Sequence, residues 1–468
     1  MILRQIILLA VTAILTGLAV SSCSDSKIDP LVPEPGEIPD IRSVMLSLSP
    51  VSMSQLTRAV YPEHSAEPGE LIQEWYIAII DVTTETVVAV ERGRDLPESG
   101  VWNDVVNTKL ELFKKYTAFA FANFKNATSL NGEEQISYKN SADFAQNFLN
   151  LKVGEKVKIG DILEKVYTDG KDLLKENDLI PMAGYLDFTP QGTVNEVFSI
   201  EVVRLYSRVE FAFVKNVDPI IRINEISLGD VNTGSIVLMP DYTNKPIPNE
   251  NPDKDPEIPD NSKYVSVIYT PASRIEVPDD GDGDVSLRTR FYIKESVVND
   301  DNRFKIGINL TRGTGKKAIT ETVEVLTNSD LKSFYRNDYV LFPITFNNTP
   351  EIKVYDYPPI GGYPVQVEAN GTEYTAMFSS SGAFDIETSI VDKNGNVIEL
   401  GSEGNGNTNY VEWNTADKPA GFNISYDSVS KRWFGDFPLG YDEPIRIDFK
   451  FHVGDLVYSR SLTLIGRK

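Results

Sequence analysis

The feature that most constrains this chain is a succession of short apolar segments, rich in β-branched and aromatic residues and each closed off by Gly, Pro, Asn or Asp. Residues 44–51 are typical, with Val44, Leu46 and Leu48 alternating with polar side chains. Similar segments cover 75–82, 116–124, 198–203, 209–214, 264–269, 291–294, 304–310 and 339–346. Such segments are too short for stable amphipathic helices, and their turn-bounded spacing points to antiparallel strands packed as sandwiches. Helical periodicity is confined to 141–151 and 162–177, with a weaker instance at 328–336, where Ser329 and Asp330 could cap a turn before Leu331. The expected fold class is therefore all-β, with a few short helices.

At 468 residues the chain exceeds one ordinary core, and about 150 residues per unit suggests roughly three. Hydrophobic residues at 41% and charged residues at 24% are a globular balance, so folding is expected throughout most of its length. The strand pattern breaks after Pro190-Gln191-Gly192, and again at Asn347-Asn348-Thr349-Pro350. These breaks divide the chain into units of 41–190, 191–349 and 350–468. Within the middle unit, Asn244 to Asn261 is a Pro/Asp/Asn loop expected at the surface.

Residues 1–22 read as a secretory signal: Arg4 in a short basic start, an apolar stretch from Ile6 to Val20, then small residues. Val20-Ser21-Ser22-Cys23 resembles the bacterial lipobox, which would make Cys23 the diacylated first residue of the mature chain. The alternative is a plain signal peptide cut nearby, which would leave Cys23 as a stray thiol in an oxidising compartment. Residues 23–40 are acidic and rich in proline, including Pro30, Pro33, Pro35 and Pro39, and read as an extended tether. Acyl chains contribute about 0.8 kcal/mol per buried methylene, so two or three would hold the protein on an outer membrane. Cys23 is the only cysteine, so stability must come from sheet packing without disulfides. A formal charge of −23 excludes nucleic acid as a partner, because phosphate recognition needs clustered cations.

Catalytic chemistry finds little support. His64 and His452 are the only histidines and fall in different units, which disfavours a zinc site or a Ser-His-Asp triad. Asp279 to Asp284 resembles the opening of a calcium loop, but counting from Asp280 the sixth and twelfth places hold Val285 and Phe291, so an acidic hairpin turn is the better reading. Gly313 to Lys317 lacks the spacing of a phosphate-binding loop and reads as a turn. No catalytic residue, metal or cofactor is expected, and the chain is read as a non-enzyme. Trp413 and Trp433, with Tyr410 and Phe434 near them, could form a platform for a glycan or the core of the last unit, and core is favoured.

Six segments carry a family resemblance when taken in order. They are Thr57-Arg58-Ala59 after the first strand, Trp75 to Ile80, Tyr116 to Phe124 with Asn123 near its end, Ile180-Pro181-Met182-Ala183-Gly184, Ile200 to Val209 with Arg204 and Arg208, and Tyr335-Arg336-Asn337-Asp338-Tyr339. Behind a lipobox, and over about 55–350, this series resembles the fimbrillin family, the subunits of pili that Bacteroidetes build from lipoprotein precursors. Ser207 stands where the family usually has Ala, and 350–468 carries no family motif.

The resemblance implies tandem transthyretin-like or Ig-like antiparallel β-sandwiches in 41–349, with other pilin subunits as partners. The departure at 350–468 favours a minor, tip or accessory subunit over a plain stalk subunit. It also implies cleavage by an Arg-specific protease after Arg58, Arg42 being a poorer site. That cut would release the segment carrying Val44, Leu46, Leu48 and Val51, taking an edge strand from the first sandwich and inviting strand addition by another chain. Left uncut, the protein would remain an anchor or a simple surface lipoprotein. The alternative function is a glycan-binding surface lipoprotein in which Trp413 and Trp433 contact a host or other sugar. Asp427-Ser428-Val429 also resembles the acceptor motif for O-glycosylation in Bacteroidetes.

Overall fold

The computed structural model describes residues 40–50, 54–55, 67–94, 106–124, 151–163, 166–167, 171–193, 196–239, 258–259, 262–279, 287–298, 303–327, 331–356, 365–367, 374–378, 383–400, 409–415, 419–436 and 443–466. In chain order the first strands are β1 (Ile41–Pro50), β2 (Ser54–Gln55), β3 (Glu74–Asp81), β4 (Thr86–Arg94), β5 (Val106–Glu111) and β6 (Tyr116–Ala122). A five-residue helix, α1 (Ile159–Leu163), leads to β7 (Val166–Tyr167), β8 (Leu174–Lys175), β9 (Met182–Phe188) and β10 (Val197–Arg204). Then come β11 (Tyr206–Lys215), β12 (Ile221–Asn232), β13 (Ile236–Val237), β14 (Tyr264–Tyr269), β15 (Ile275–Glu276), β16 (Leu287–Lys294) and β17 (Ser296–Val297). They are followed by β18 (Lys305–Arg312), β19 (Ile319–Leu326), β20 (Ser333–Phe334), β21 (Asp338–Phe346) and β22 (Asn348–Asp356). The last are β23 (Val365–Val367), β24 (Tyr374–Phe378), β25 (Ala383–Asp392), β26 (Val397–Glu399), β27 (Tyr410–Asn414), β28 (Asn423–Asp427), β29 (Arg432–Asp436), β30 (Ile445–Val453) and β31 (Leu456–Gly466). The fold is all-β and sandwich-like, as the spacing of apolar segments requires.

The first sheet has seven strands in the order β4-β3-β6-β9-β10-β1-β5. Its outermost strands, β4 and β5, lie near each other, so the sheet curls over its own apolar face. That face collects Val44, Leu46, Leu48, Ile72, Ile77, Ile200 and Val202 into one core. The other face of β3 and β6 is covered as well, with Tyr76, Phe119 and Phe121 packing beside Leu205, Tyr206 and Tyr292. Burial on both faces explains why these two strands read as unbroken apolar runs while β1 alternates.

A second sheet runs β2-β21-β11-β16-β8, and a nine-stranded sheet contains the path β14-β12-β18-β19-β31-β30-β27. A six-stranded sheet, β23-β22-β25-β29-β28 with β26 beside β25, completes the arrangement. The nine-stranded sheet packs against both of the others through one continuous core that includes Phe211, Phe291, Ile223, Ile308, Val354, Ile386 and Trp433. Strands distant in sequence thus share it, since β19 pairs with β31 from Thr322↔Ser459 to Val325↔Leu456.

Two helix expectations are corrected. Over 162–177 the helix ends at Leu163 and the chain instead forms β7 and β8. Tertiary pairing overrides the local periodicity here: Val166 and Tyr167 pair with β13, and Leu174 and Lys175 pair with β16. In 331–336, Ser333 and Phe334 pair with β17 where a helical turn was expected. The helix expected at 141–151 lies outside the described residues except for Leu151, as does most of the 244–261 loop.

One glycine sets how closely strands pass. A Cβ on Gly184 would stand 2.0 Å from the carbonyl oxygen of Glu201 and 3.2 Å from Cα of Val202, so β9 lies against its neighbour β10 with no room for a side chain. Gly184→Ala is expected to lower stability by about 2 to 3 kcal/mol in urea denaturation, because the obstacle is backbone and cannot rotate away. A loss below about 0.5 kcal/mol would show that the two strands lie less close there.

Candidate strand-exchange site

β1 is held by alternation. Val44, Leu46 and Leu48 turn inward and are 2%, 0% and 0% exposed, while Met45, Ser47 and Ser49 are only partly covered. Its backbone runs parallel to β10, in register from Met45↔Val197 to Pro50↔Val202, and the Met45 amide also donates to the carbonyl of Glu196 at 3.3 Å. β5 flanks its other side. β1 is therefore not the edge strand that was expected, because the curl of the sheet brings β5 around to cover it. An intruding strand would find a partner on both sides of this slot. Beyond β1, Ser54 and Gln55 pair in parallel with Asp338 and Tyr339, so the chain passes to the second sheet before Arg58. Cys23, Val51 and Arg58 lie outside the described residues, and so does His64.

Next to the slot is a buried polar joint between the first and second sheets. Pro68–Glu70 forms a single 3-10 turn, closed by a capping box in which the Glu67 amide donates to Glu70 Oε2 at 2.9 Å. The Glu70 carboxylate, 1% exposed, accepts from Arg208 Nη1 at 3.2 Å and from the Tyr292 hydroxyl at 2.8 Å. Its backbone carbonyl accepts from Arg204 Nη2 at 3.0 Å, and Arg204 Nη1 donates to Asn337 Oδ1 at 2.9 Å. Arg208 Nη2 also donates to Glu210 Oε2 at 2.6 Å. Burial alone would favour loss of the Arg208 proton, but Glu70 and Glu210 more than offset it and hold the guanidinium above its ordinary range. Burial, reinforced by Glu70, pushes the Tyr292 phenol far above its usual range, so it remains a donor.

The motif residues gain a physical meaning at this joint. Asn123 has φ 59° and Asn337 φ 61°, left-handed corners that Asn tolerates better than most residues. Asn123 Oδ1 accepts from the Gln73 amide at 2.9 Å, while its Nδ2 donates to the carbonyls of Leu71 at 2.7 Å and Ile180 at 3.2 Å. The Leu205 amide donates to the Pro181 carbonyl at 2.8 Å, and the Ser207 hydroxyl donates to the Tyr335 carbonyl. Glu70, Glu210 and Tyr292 were not singled out from the sequence. A carboxylate inside the apolar run Val209-Glu210-Phe211 was the available signal, since such a group is buried only with a cation.

The remaining candidates are dispersed. Trp433 is 2% exposed, donates from Nε1 to Thr388 Oγ1 at 3.3 Å, and packs edge-on to Trp413 with ring centroids 5.7 Å apart. Trp413 is half-buried against the same core. His452 lies on β30, stacked on Tyr410 with its Nε2 3.3 Å from Glu412. Asp427 accepts from the Val429 and Ser430 amides and so shapes the exposed turn that carries Ser428. Asp279 pairs with Lys215, and 280–284 lie outside the described residues. Gly313 to Lys317 forms the turn between β18 and β19. Among the described residues no cluster of three metal-ligating side chains occurs, and no helix is long and apolar enough to cross a membrane.

No family model and no curated protein matches the chain. Solved structures do. A candidate cell-adhesion protein from Parabacteroides distasonis ATCC 8503 is 11% identical with a TM-score of 0.39, over 64% of this chain and 88% of that one. A tip fimbrial protein from Porphyromonas gingivalis, with a C-terminal truncation, is 14% identical with a TM-score of 0.36, over 75% of this chain and 100% of that one. A fimbrial assembly protein from Parabacteroides distasonis ATCC 8503 is 11% identical with a TM-score of 0.31, over 77% and 100%. These three solved structures, to which the chain is similar, are described as cell-adhesion and fimbrial proteins.

Proposed function

We propose that the chain is a structural or adhesive subunit of a cell-surface pilus, a minor, tip or accessory one, exported as a lipoprotein acylated on Cys23 and assembled by strand exchange at the β1 slot. The observation that carries this reading is β1 itself: three fully covered side chains on a strand laddered to β10, followed closely in sequence by Arg58. Cleavage after Arg58 would free β1 to leave. β10 and β5 would then present unpaired backbone on either side of an apolar trough, the state that strand addition relieves. The donor is a neighbouring pilin subunit whose strand carries apolar residues at alternate positions, and the setting is the outer membrane and its fimbriae. The work is the making of β-ladders between neighbours, with no reaction catalysed.

The reading is tested on surface material from cells. Mass spectrometry is expected to find a mature chain beginning at Ala59, and Arg58→Ala is expected to abolish that species together with its polymer. Material that only ever begins at acylated Cys23 would rule out processing and leave an anchor.

A further inference from the structure

We propose that the Glu67–Glu70 turn is a clamp that keeps the β1 slot open after β1 has left, with Glu70 as its positioning residue; this rests on the strand-exchange reading above. Ile72, Leu110, Ile200 and Val202 share a core with Val44, Leu46 and Leu48, and they lose those contacts when β1 goes. Protein interiors do not tolerate such a void, and unrestrained walls move in to fill it. A slot that has collapsed must be reopened by the incoming strand, which reduces its apparent affinity.

The walls are restrained at one place. Ile72 lies two residues after Glu70 and is 1% exposed. Arg204, which donates to the Glu70 carbonyl, is the last residue of β10, the partner of β1. Arg208 and Tyr292, which hold the Glu70 carboxylate, belong to β11 and β16 of the second sheet. The turn is fixed from below as well: the Ile180 amide donates to the Gly69 carbonyl at 2.9 Å, and a Cβ on Gly69 would stand 2.3 Å from the Asp178 carbonyl oxygen. One buried residue thus ties the end of β10, through its main-chain carbonyl, and a wall of the slot to a sheet that β1 does not enter, which its carboxylate grips. These bonds are all made by residues downstream of Arg58, so cleavage leaves them intact. Buried ion pairs contribute little net stability but enforce one arrangement, which is what an emptied slot needs.

The test uses the uncleaved chain that still carries β1, nicked after Arg58 by an Arg-specific protease; the next arginine or lysine is Arg92. The β1 segment is displaced in mild urea and removed, and capture of a labelled peptide of residues 41–55 is titrated. Glu70→Gln is expected to weaken capture at least 30-fold, and Tyr292→Phe, which removes a single hydroxyl and keeps the fold, about threefold to tenfold. Glu70→Asp is expected to recover part of the loss. Glu321→Gln breaks an equally buried cluster with Arg312 and Arg460 in the nine-stranded sheet, and is expected to lower the melting temperatures of intact and emptied forms alike while leaving capture near wild type. Capture by the Glu70→Gln and Tyr292→Phe chains at wild-type affinity would overturn the clamp, as would an equal loss in the Glu321→Gln chain. If the emptied wild-type chain captures no peptide, strand exchange itself fails, and the clamp with it.

Discussion

Glu321→Gln is expected to lower the free energy of unfolding by about 3 to 5 kcal/mol, because it leaves two buried guanidinium groups without their anion. Glu321, on β19, accepts from Arg312 Nε at 2.8 Å and from Arg460 Nε at 2.5 Å, and all three side chains are almost wholly buried. Arg312 and Arg460 reach on to Thr349 and to the Pro350 carbonyl, so the triad joins β18, β19 and β31 to β22. Burial acts to raise the Glu321 carboxyl, but Arg460 and Arg312 outweigh it and hold it below the ordinary carboxylate range. The sign follows from linkage. A carboxyl depressed in the folded state contributes its full stabilisation above its unfolded value, and loses it as pH falls through the folded one. The penalty of the substitution is therefore largest at neutral pH and shrinks on acidification. Urea denaturation across pH checks this, and a penalty that grows as pH falls would contradict the assignment.

The second large effect is on the strand itself. Leu46→Ala in the uncleaved chain is expected to cost about 2 to 5 kcal/mol, since Leu46 is completely buried in the first core and its loss leaves a cavity. The same change in a free peptide of residues 41–55 should weaken its capture by the emptied chain by roughly 30-fold or more, the equivalent of the lower bound. A mature chain beginning at Ala59 lacks the residue and is unaffected. Isothermal titration of the two peptides, with denaturation of the two intact chains, gives both numbers. Agreement within a factor of a few is expected if the slot seen with β1 in place is the slot that captures. A full loss in the intact chain without any in the peptide would mean that the emptied slot rearranges.

What could be read from the sequence was what depends on local periodicity. The alternation at Val44, Leu46 and Leu48 specified which side of β1 faces inward, and the run 75–82 marked a strand, though not that both of its faces are covered. The position of β1 within its sheet was not legible. Whether a strand lies at an edge depends on where β5 returns, and nothing in 106–111 announces that it curls round to the far side of β1. For the same reason 162–177 misled: its periodicity is helical, but Tyr167 and Leu174 find β-partners in segments far along the chain. Charge partnerships suffer most. Arg204 and Arg208 were visible as motif residues, whereas the Glu70 they require sits in a polar, Pro-Gly turn that resembles any exposed loop.

The shared nine-stranded sheet bears on how such a molecule would transmit tension. β21 ends at Phe346 and β22 begins at Asn348, so one residue separates strands of two different sheets and no linker is present there to pay out under load. Domains joined by a short polar interface can swing or be peeled apart. Here a pull between these parts must also slide β31 along β19, straining the bonds from Thr322 to Val325 together with the buried hold of Arg460 on Glu321. Lengthwise shear loads those bonds at once, whereas unzipping would take them singly, which makes this junction a stiff coupling.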